Sequence, residues 1–134
     1  MPFVVDASVV ATWALPDETT QLTSQMLDKA ALEGVLVPPI WWYEVRNMLL
    51  MAERRNRILP AQSDQFLRRL NDLDLQIADT GDGAATLRLA RTHKLTAYDA
   101  AYLELAIRES LPLSTLDERL AQAASIEHVQ VFMV

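Results

Sequence analysis

The chain has 134 residues, no cysteine and a formal charge of −6. A chain of this length buries enough surface to fold without disulfides or a structural metal, so we expect a single domain over residues 1–134. Without cysteine, disulfide scaffolds, cysteine-based zinc modules and thiol nucleophiles are excluded. The acidic balance also argues against a generic nucleic-acid binder, because such proteins usually carry a basic domain.

Targeting and membrane-spanning segments are not expected. The chain reaches Asp6 before any apolar run is long enough for a signal peptide. No apolar stretch approaches the roughly 20 residues that a membrane span needs. We therefore expect a cytoplasmic protein with no membrane contact.

Short β-branched runs alternate along the chain with longer segments of helical spacing. In chain order, strands are predicted at residues 3–5, 35–37, 75–77, 111–114 and 129–133. Helices are predicted at 17–32, from the prolines at 38–39 to about 57, and at 60–70, 84–91, 98–107 and 117–124, with one more helix start directly after Asp6. No two-residue hairpin turn joins the strands, which indicates crossover connections. We expect an α/β fold in which helices cover both faces of a mainly parallel sheet.

Two aspartates directly follow predicted strands and precede helix starts. Asp6 comes after the apolar run at 3–5, and Asp117 ends the run at 111–116. Either acid could be a helix cap and nothing more, because Asp is a preferred N-cap residue. In an open parallel sheet, however, ligand sites form at the carboxyl ends of the strands. The two acids therefore also mark the place where a site is expected.

Two further acids lie near helix starts in apolar surroundings. Glu44 follows three aromatic residues at 41–43, and Asp99 is the only charge in the first turns of a helix rich in Ala, Tyr and Leu. The helix dipole stabilises an anion at either position by about 0.3–1 kcal/mol, so each acid alone has a structural explanation. The apolar neighbours of Glu44 and Asp99 nevertheless argue against a fully solvent-exposed position for either side chain.

Taken together, the four acids predict a metal site. If Asp6 and Asp117 end adjacent strands, and Glu44 and Asp99 project from helix starts over the same edge, their carboxylates converge in one cleft. Like charges at close range raise one another's pKa, so such a cluster stays ionised only with a cation. Oxygen ligands without His or Cys suit Mg²⁺ or Mn²⁺, and such a site supports phosphodiester hydrolysis.

Four ordered segments carry a resemblance to a known family. They are VVDASV at 4–9, YEVRN at 43–47, TAYDAAYLELA at 96–106 and STLDERL at 114–120. Their succession resembles the motifs of the PIN-domain nucleases, and within these it is most similar to the VapC-type toxins of toxin–antitoxin pairs. The similarity extends over nearly the whole chain, and all four acids of the pattern are present.

The resemblance implies a three-layer α/β/α PIN-like fold with about five strands and an Mg²⁺- or Mn²⁺-dependent endoribonuclease activity. It makes Asp6, Glu44, Asp99 and Asp117 the catalytic and metal-binding residues. Its implied partners are an RNA substrate, with transfer or ribosomal RNA the expected class, a small VapB-type antitoxin that blocks the site, and a second copy of the chain in a homodimer.

Three polar residues are expected to support the acids. The resemblance gives Thr115 a hydroxyl that supports the site and places Asn47 at a frequently polar position. Ser8 could support Asp6 from the first loop, although helix capping explains it equally well. Tyr98 and Tyr102 are four residues apart, so we expect them to pack on each other.

The densest basic run is formed by Arg54, Arg55 and Arg57. Basic residues in a last helical turn are favourable for the helix itself. They could also contact RNA phosphates or an acidic part of a protein partner. Without the four site acids the formal charge is only −2, so the acidic balance does not exclude an RNA substrate.

Two other function classes compete with a nuclease. One is a catalytically silent binding module that keeps the fold and acts through its protein partner, although retention of all four acids argues against it. The other is phosphoryl transfer on a receiver-like or dehalogenase-like domain with Asp6 as nucleophile. That reading is weakened because Ser8 stands where the dehalogenase pattern has a second Asp, and because the last lysine, Lys94, precedes the fourth strand.

Overall fold

A computed structural model describes residues 1–133 as an alternation of strands and helices. Its elements, in chain order, are β1 (Phe3–Val5), α1 (Ala7–Ala14), α2 (Gln21–Glu33), β2 (Val35–Val37), α3 (Ile40–Arg54), α4 (Pro60–Asn71), β3 (Leu75–Ile77), α5 (Gly83–His93), α6 (Ala97–Glu109), β4 (Leu113–Thr115), α7 (Glu118–Ile126) and β5 (Val131–Met133).

The five strands form one sheet in the order β3-β2-β1-β4-β5, and every pairing is parallel. The central strand β1 pairs Val4 with Leu36 on one side and with Leu113 on the other. Helices cover both faces, which gives three layers and confirms the predicted α/β/α fold. Because all strands run the same way, the chain leaves β1 and β4 at the same edge of the sheet, at Asp6 and Asp117.

The core follows from the central position of β1. Phe3, Val4 and Val5 are fully buried, as expected for a parallel strand that helices cover on both faces. Helix α6 contributes Tyr102 and Leu103 to the same core. No helix within residues 1–133 is long and apolar enough to cross a membrane.

The predicted helix at 17–32 is wrong at its start. Residues Pro16–Glu18 form a short 3₁₀ turn, and α2 begins only at Gln21. Thr20 caps α2 because its hydroxyl accepts a hydrogen bond from the Thr23 amide at 3.1 Å, while the Thr23 hydroxyl accepts one from the Thr20 amide at 2.8 Å. This reciprocal pairing satisfies two amides of the helix start, so the helix begins there.

The other boundaries differ from the prediction by a few residues. Helix α3 ends at Arg54 rather than near residue 57, because Asn56 has a positive φ of 59° that ends the helical path. The fourth strand begins at Leu113 rather than at residue 111, since Pro112 has no amide to donate to the sheet. The fifth strand begins at Val131 instead of residue 129.

Candidate active site

Asp6 lies at the end of the central strand and is almost completely buried, with 5% of its surface exposed. It is the N-cap of α1, and its Oδ1 accepts hydrogen bonds from the Val9 amide at 3.2 Å and the Ser8 hydroxyl at 2.5 Å. Its Oδ2 accepts a 2.5 Å hydrogen bond from the Thr115 hydroxyl. Burial raises the pKa of Asp6, and these donors oppose that rise. The predicted capping role is present, but the burial exceeds what a surface cap requires.

Thr115, the last residue of β4, joins Asp6 to Asp117. Its hydroxyl donates to Asp6 and accepts a 3.0 Å hydrogen bond from the Asp117 amide. Asp117 in turn caps α7, because its Oδ1 accepts from the Arg119 amide at 2.9 Å and from the Leu120 amide at 3.3 Å. One buried hydroxyl therefore fixes the relative positions of the two strand-end acids.

Glu44 lies near the start of α3 and is half-buried. Its Oε1 accepts a 2.6 Å hydrogen bond from the hydroxyl of Tyr102 on α6. Burial raises the pKa of Glu44, the Tyr102 hydroxyl lowers it, and the charges of Asp99 and Asp6 raise it again. Burial and the Glu44 carboxylate raise the pKa of Tyr102 far above its usual value. The Tyr102 hydroxyl therefore stays protonated and serves as a fixed donor to Glu44.

Asp99 lies in the first turn of α6, where the Thr96 hydroxyl accepts a 3.1 Å hydrogen bond from its amide. Burial raises the pKa of Asp99, and the charge of Asp117 raises it further. Both acids line an open depression of about 480 Å³ at the carboxyl edge of the sheet.

The four carboxylates act on one another across this edge. The charge of Asp99 raises the pKa of Asp6 and Glu44, in each case in addition to the larger effect of burial. None of the four forms an ion pair with any residue in 1–133. No ion pair within the described residues therefore offsets the negative charge of these four acids.

The donor set suits a hard divalent cation, because all four groups are carboxylates and a cation relieves their repulsion. As they stand, however, no three His, Cys, Asp or Glu side chains within residues 1–133 are gathered closely enough to hold a metal ion. Mg²⁺ keeps several waters and binds few carboxylates directly. The chemistry of the donor set thus suits such a cation, which these carboxylates would hold together with water ligands.

The remaining predicted site residues do not all lie beside the four acids. Ser8 is at the site, where its hydroxyl donates to Asp6 and accepts from the Leu116 amide at 3.3 Å. Asn47 lies one turn after Glu44, is exposed and makes no side-chain hydrogen bond within the described part of the chain. The basic run at 54–57 lies at the other end of α3, about 15 Å along the helix from Glu44.

Comparison with known proteins identifies the family. A family model described as PIN domain matches residues 3–126. The chain belongs to the PIN-domain family. Ribonuclease VapC3 of Pyrobaculum aerophilum is 31% identical over 126 residues, which cover 91% of this chain and 94% of that protein. The VapC-type PIN domain expected from the four motifs is thereby confirmed.

Solved structures share the PIN-domain fold over most of the chain. The Pyrobaculum aerophilum protein PAE2754 superposes with a TM-score of 0.75 at 22% identity, over 98% of this chain and 84% of that one. A toxin–antitoxin complex from Klebsiella pneumoniae gives a TM-score of 0.61 at 18% identity, with 86% of each chain covered. At these identities the likeness concerns the fold.

The hydrogen bond between Tyr102 and Glu44 was not predicted from the sequence, which assigned Tyr102 a different contact. Tyr102 does not pack on Tyr98 as expected, because Tyr98 is 60% exposed whereas Tyr102 is buried and reaches Glu44. The available signal was the spacing within α6. Tyr102 is three residues after Asp99 and so lies on the same side of that helix as the acid.

Proposed function

We propose that this PIN domain is a metal-dependent endoribonuclease that hydrolyses phosphodiester bonds of RNA with Asp6, Glu44, Asp99 and Asp117. The observation that supports it most strongly is the group of four mutually repelling carboxylates, without ion-pair partners in residues 1–133, at the sheet edge where α/β folds bind ligands. The name of the relative, Ribonuclease VapC3, supports RNA as the substrate class.

Asp6, Asp99 and Asp117 would hold the Mg²⁺ or Mn²⁺ ion, with Glu44 contributing directly or through water. When bound, such an ion neutralises the acids, lowers the pKa of a coordinated water and stabilises charge on the phosphate in the transition state. Asp6 is held for this role by three donors, and Thr115 keeps Asp117 beside it. The reaction also needs a side chain that orients the attacking water.

Glu44 is the carboxylate best placed to orient or deprotonate that water. Its Oε1 is occupied by Tyr102, so Oε2 is the oxygen left to accept a proton. Burial raises the pKa of Glu44 toward the range in which a carboxylate is an effective general base. Ser8 and Thr115 act as supporting residues through Asp6, and Asn47 extends the polar face of α3 beyond Glu44.

The partners follow from the same family. The structure with a TM-score of 0.61 is described as a toxin–antitoxin complex, and we propose that this chain likewise is a toxin blocked by a VapB-type antitoxin and forms a homodimer. Arg54 and Arg55 are exposed and are proposed to contact RNA or an acidic segment of the antitoxin. Arg57 is already paired, since its Nη2 lies 2.9 Å from Asp17 and 3.2 Å from Glu18.

Induction in cells tests this function. Expression of the chain alone should arrest growth and create new RNA 5′ ends at defined positions in transfer or ribosomal RNA. The Asp99→Asn variant should do neither, because Asn keeps the size of the half-buried side chain and removes its charge. Equal arrest by this variant contradicts the nuclease and favours a binding module that acts through its partner.

A further inference from the structure

The open depression at Asp99 and Asp117 has two basic residues on its wall. Lys94 is the cap residue directly after α5, and Arg119 lies in the first turn of α7. Both side chains are exposed, and neither forms an ion pair with a residue in 1–133. The same depression therefore presents acids at the sheet edge and unpaired cations beside them.

The position of Arg119 is not explained by helix stability. A positive charge in the first helical turn is unfavourable, because the amino end of a helix already carries partial positive charge. Arg119 follows the cap residue Asp117 by only two positions. The cation is thus present at a place where the helix itself disfavours it.

A backbone contact aims Arg119 toward Lys94. The Arg119 Nη1 atom donates a 3.3 Å hydrogen bond to the Lys94 carbonyl oxygen. This bond uses one of the five guanidinium donors and leaves the others available, and a guanidinium binds phosphate oxygens in pairs. Lys94 adds a point charge at the same wall, although its place at the end of α5 also favours that helix. The neighbouring Glu118 and Gln122 complete the polar rim of the depression.

We propose that Lys94 and Arg119 bind the RNA backbone at phosphates next to the one that is cleaved. This inference rests on the proposed function and assigns the phosphate contacts to the wall of the site. The ligand chemistry is a phosphodiester, because two unpaired cations next to a carboxylate cluster attract an anion that the carboxylates alone repel. Lys94 and Arg119 are positioning residues that hold the strand in register, and the four acids remain the reacting groups.

Binding of RNA without cleavage tests the proposal. The parent protein for this experiment is the Glu44→Gln variant in EDTA, which cannot cleave the probe. The probe is a short fluorescein-labelled single-stranded RNA. Its binding is measured by fluorescence anisotropy at KCl concentrations from about 25 to about 200 mM. Each phosphate contact contributes about 0.7 to the slope of log affinity against log salt for a single strand. We expect the slope to fall by about 0.7 for Lys94→Gln or Arg119→Gln and by about 1.4 for both together.

Matched controls separate a local contact from overall charge. Arg88→Gln with Arg91→Gln removes the same two charges from exposed positions on α5 outside the depression and should leave the slope unchanged. The Arg119→Lys variant should retain most of the salt dependence of the parent, because it keeps the positive charge. If Lys94 and Arg119 only neutralised the acids, their removal would leave the slope unchanged and would alter only Mn²⁺ affinity and stability.

Three results would overturn the proposal, and they differ in what they imply for the proposed function. An unchanged slope in the double variant rejects the assignment to Lys94 and Arg119, and so does an equal fall in the control. In either case, RNA cleavage by the wild-type chain would still support the proposed nuclease function. Absence of RNA binding by the parent, together with absence of cleavage by the wild type, rejects both this inference and the proposed function. Circular dichroism of each variant confirms that the fold is unchanged.

Discussion

The hydroxyl of Tyr102 donates a 2.6 Å hydrogen bond to Oε1 of Glu44 and thereby joins α6 to α3 across the candidate active site. Tyr102 is 1% exposed, so its ring is fixed by the core while its hydroxyl reaches the half-buried acid. The same helix carries Asp99 three residues earlier. The buried face of α6 therefore sets the position of two of the four acids.

Tyr102→Phe should slow RNA cleavage without unfolding the chain. The substitution keeps the buried ring and removes only the donor to Glu44, and a hydrogen bond to a charged group contributes about 1.5–3 kcal/mol. We expect kcat to fall by roughly 10- to 100-fold with little change in KM, since Glu44 acts on water and not on the RNA. Tyr98→Phe, at an exposed position of the same helix, is the control and should cleave like the wild type. Equal rates for the two variants would show that Glu44 needs no support from Tyr102.

Thr115→Val should destabilise the fold by about 1–3 kcal/mol, because the buried Asp6 carboxylate loses a donor and the Asp117 amide loses its acceptor. Urea unfolding measures this change. Thr92→Val makes the same chemical substitution at an exposed site of α5 and should change stability by no more than about 0.5 kcal/mol. A similar small value for both variants would mean that the Thr115 hydroxyl does not hold the two strand-end acids.

Asp99→Asn should raise the melting temperature of the metal-free chain by a few degrees, since it removes a charge that repels Asp6 and Glu44. The pKa of Asp99 is raised in the folded state, so folding favours its protonated form. The repulsion is present above that raised pKa and disappears as the pH falls through it. The advantage of the variant should therefore shrink on acidification.

The control for this prediction is Asp28→Asn, which removes an exposed acid on α2 away from the site. Its melting temperature should stay close to that of the wild type. Added Mn²⁺ should stabilise the wild type more than Asp99→Asn, because a ligand stabilises the state that binds it. A lower melting temperature for metal-free Asp99→Asn would contradict the repulsion inferred for the site.

The sequence was sufficient to predict the elements that position the acids. Asp6 and Asp117 directly follow short apolar runs, and parallel connections bring the ends of such runs to one edge. The start of α2 was harder, because Pro16 followed by two acids is also a typical helix start. Only the pairing of Thr20 with Thr23 decides where the helix begins.

Contacts between distant segments were beyond the reach of local patterns. Arg57 pairs with Asp17 and Glu18, which precede it by 40 and 39 positions. Tyr102 contacts Glu44, which is 58 positions away. Spacing along one helix predicts which side a residue takes, but the partner on that side depends on how the layers stack. Local patterns likewise cannot predict the proximity of Lys94 and Arg119, because the two residues are 25 positions apart.

Cleavage of RNA by the purified chain, with the metal as the controlled variable, tests the central claim most directly. The wild type and Asp99→Asn are purified in parallel and incubated with structured RNA in Mg²⁺, in Mn²⁺ and in EDTA. We predict cleavage at defined positions by the wild type in either metal, and none in EDTA or by Asp99→Asn under any condition. Cleavage that persists in EDTA, or that Asp99→Asn performs equally well, would contradict a metal-dependent site built from these carboxylates.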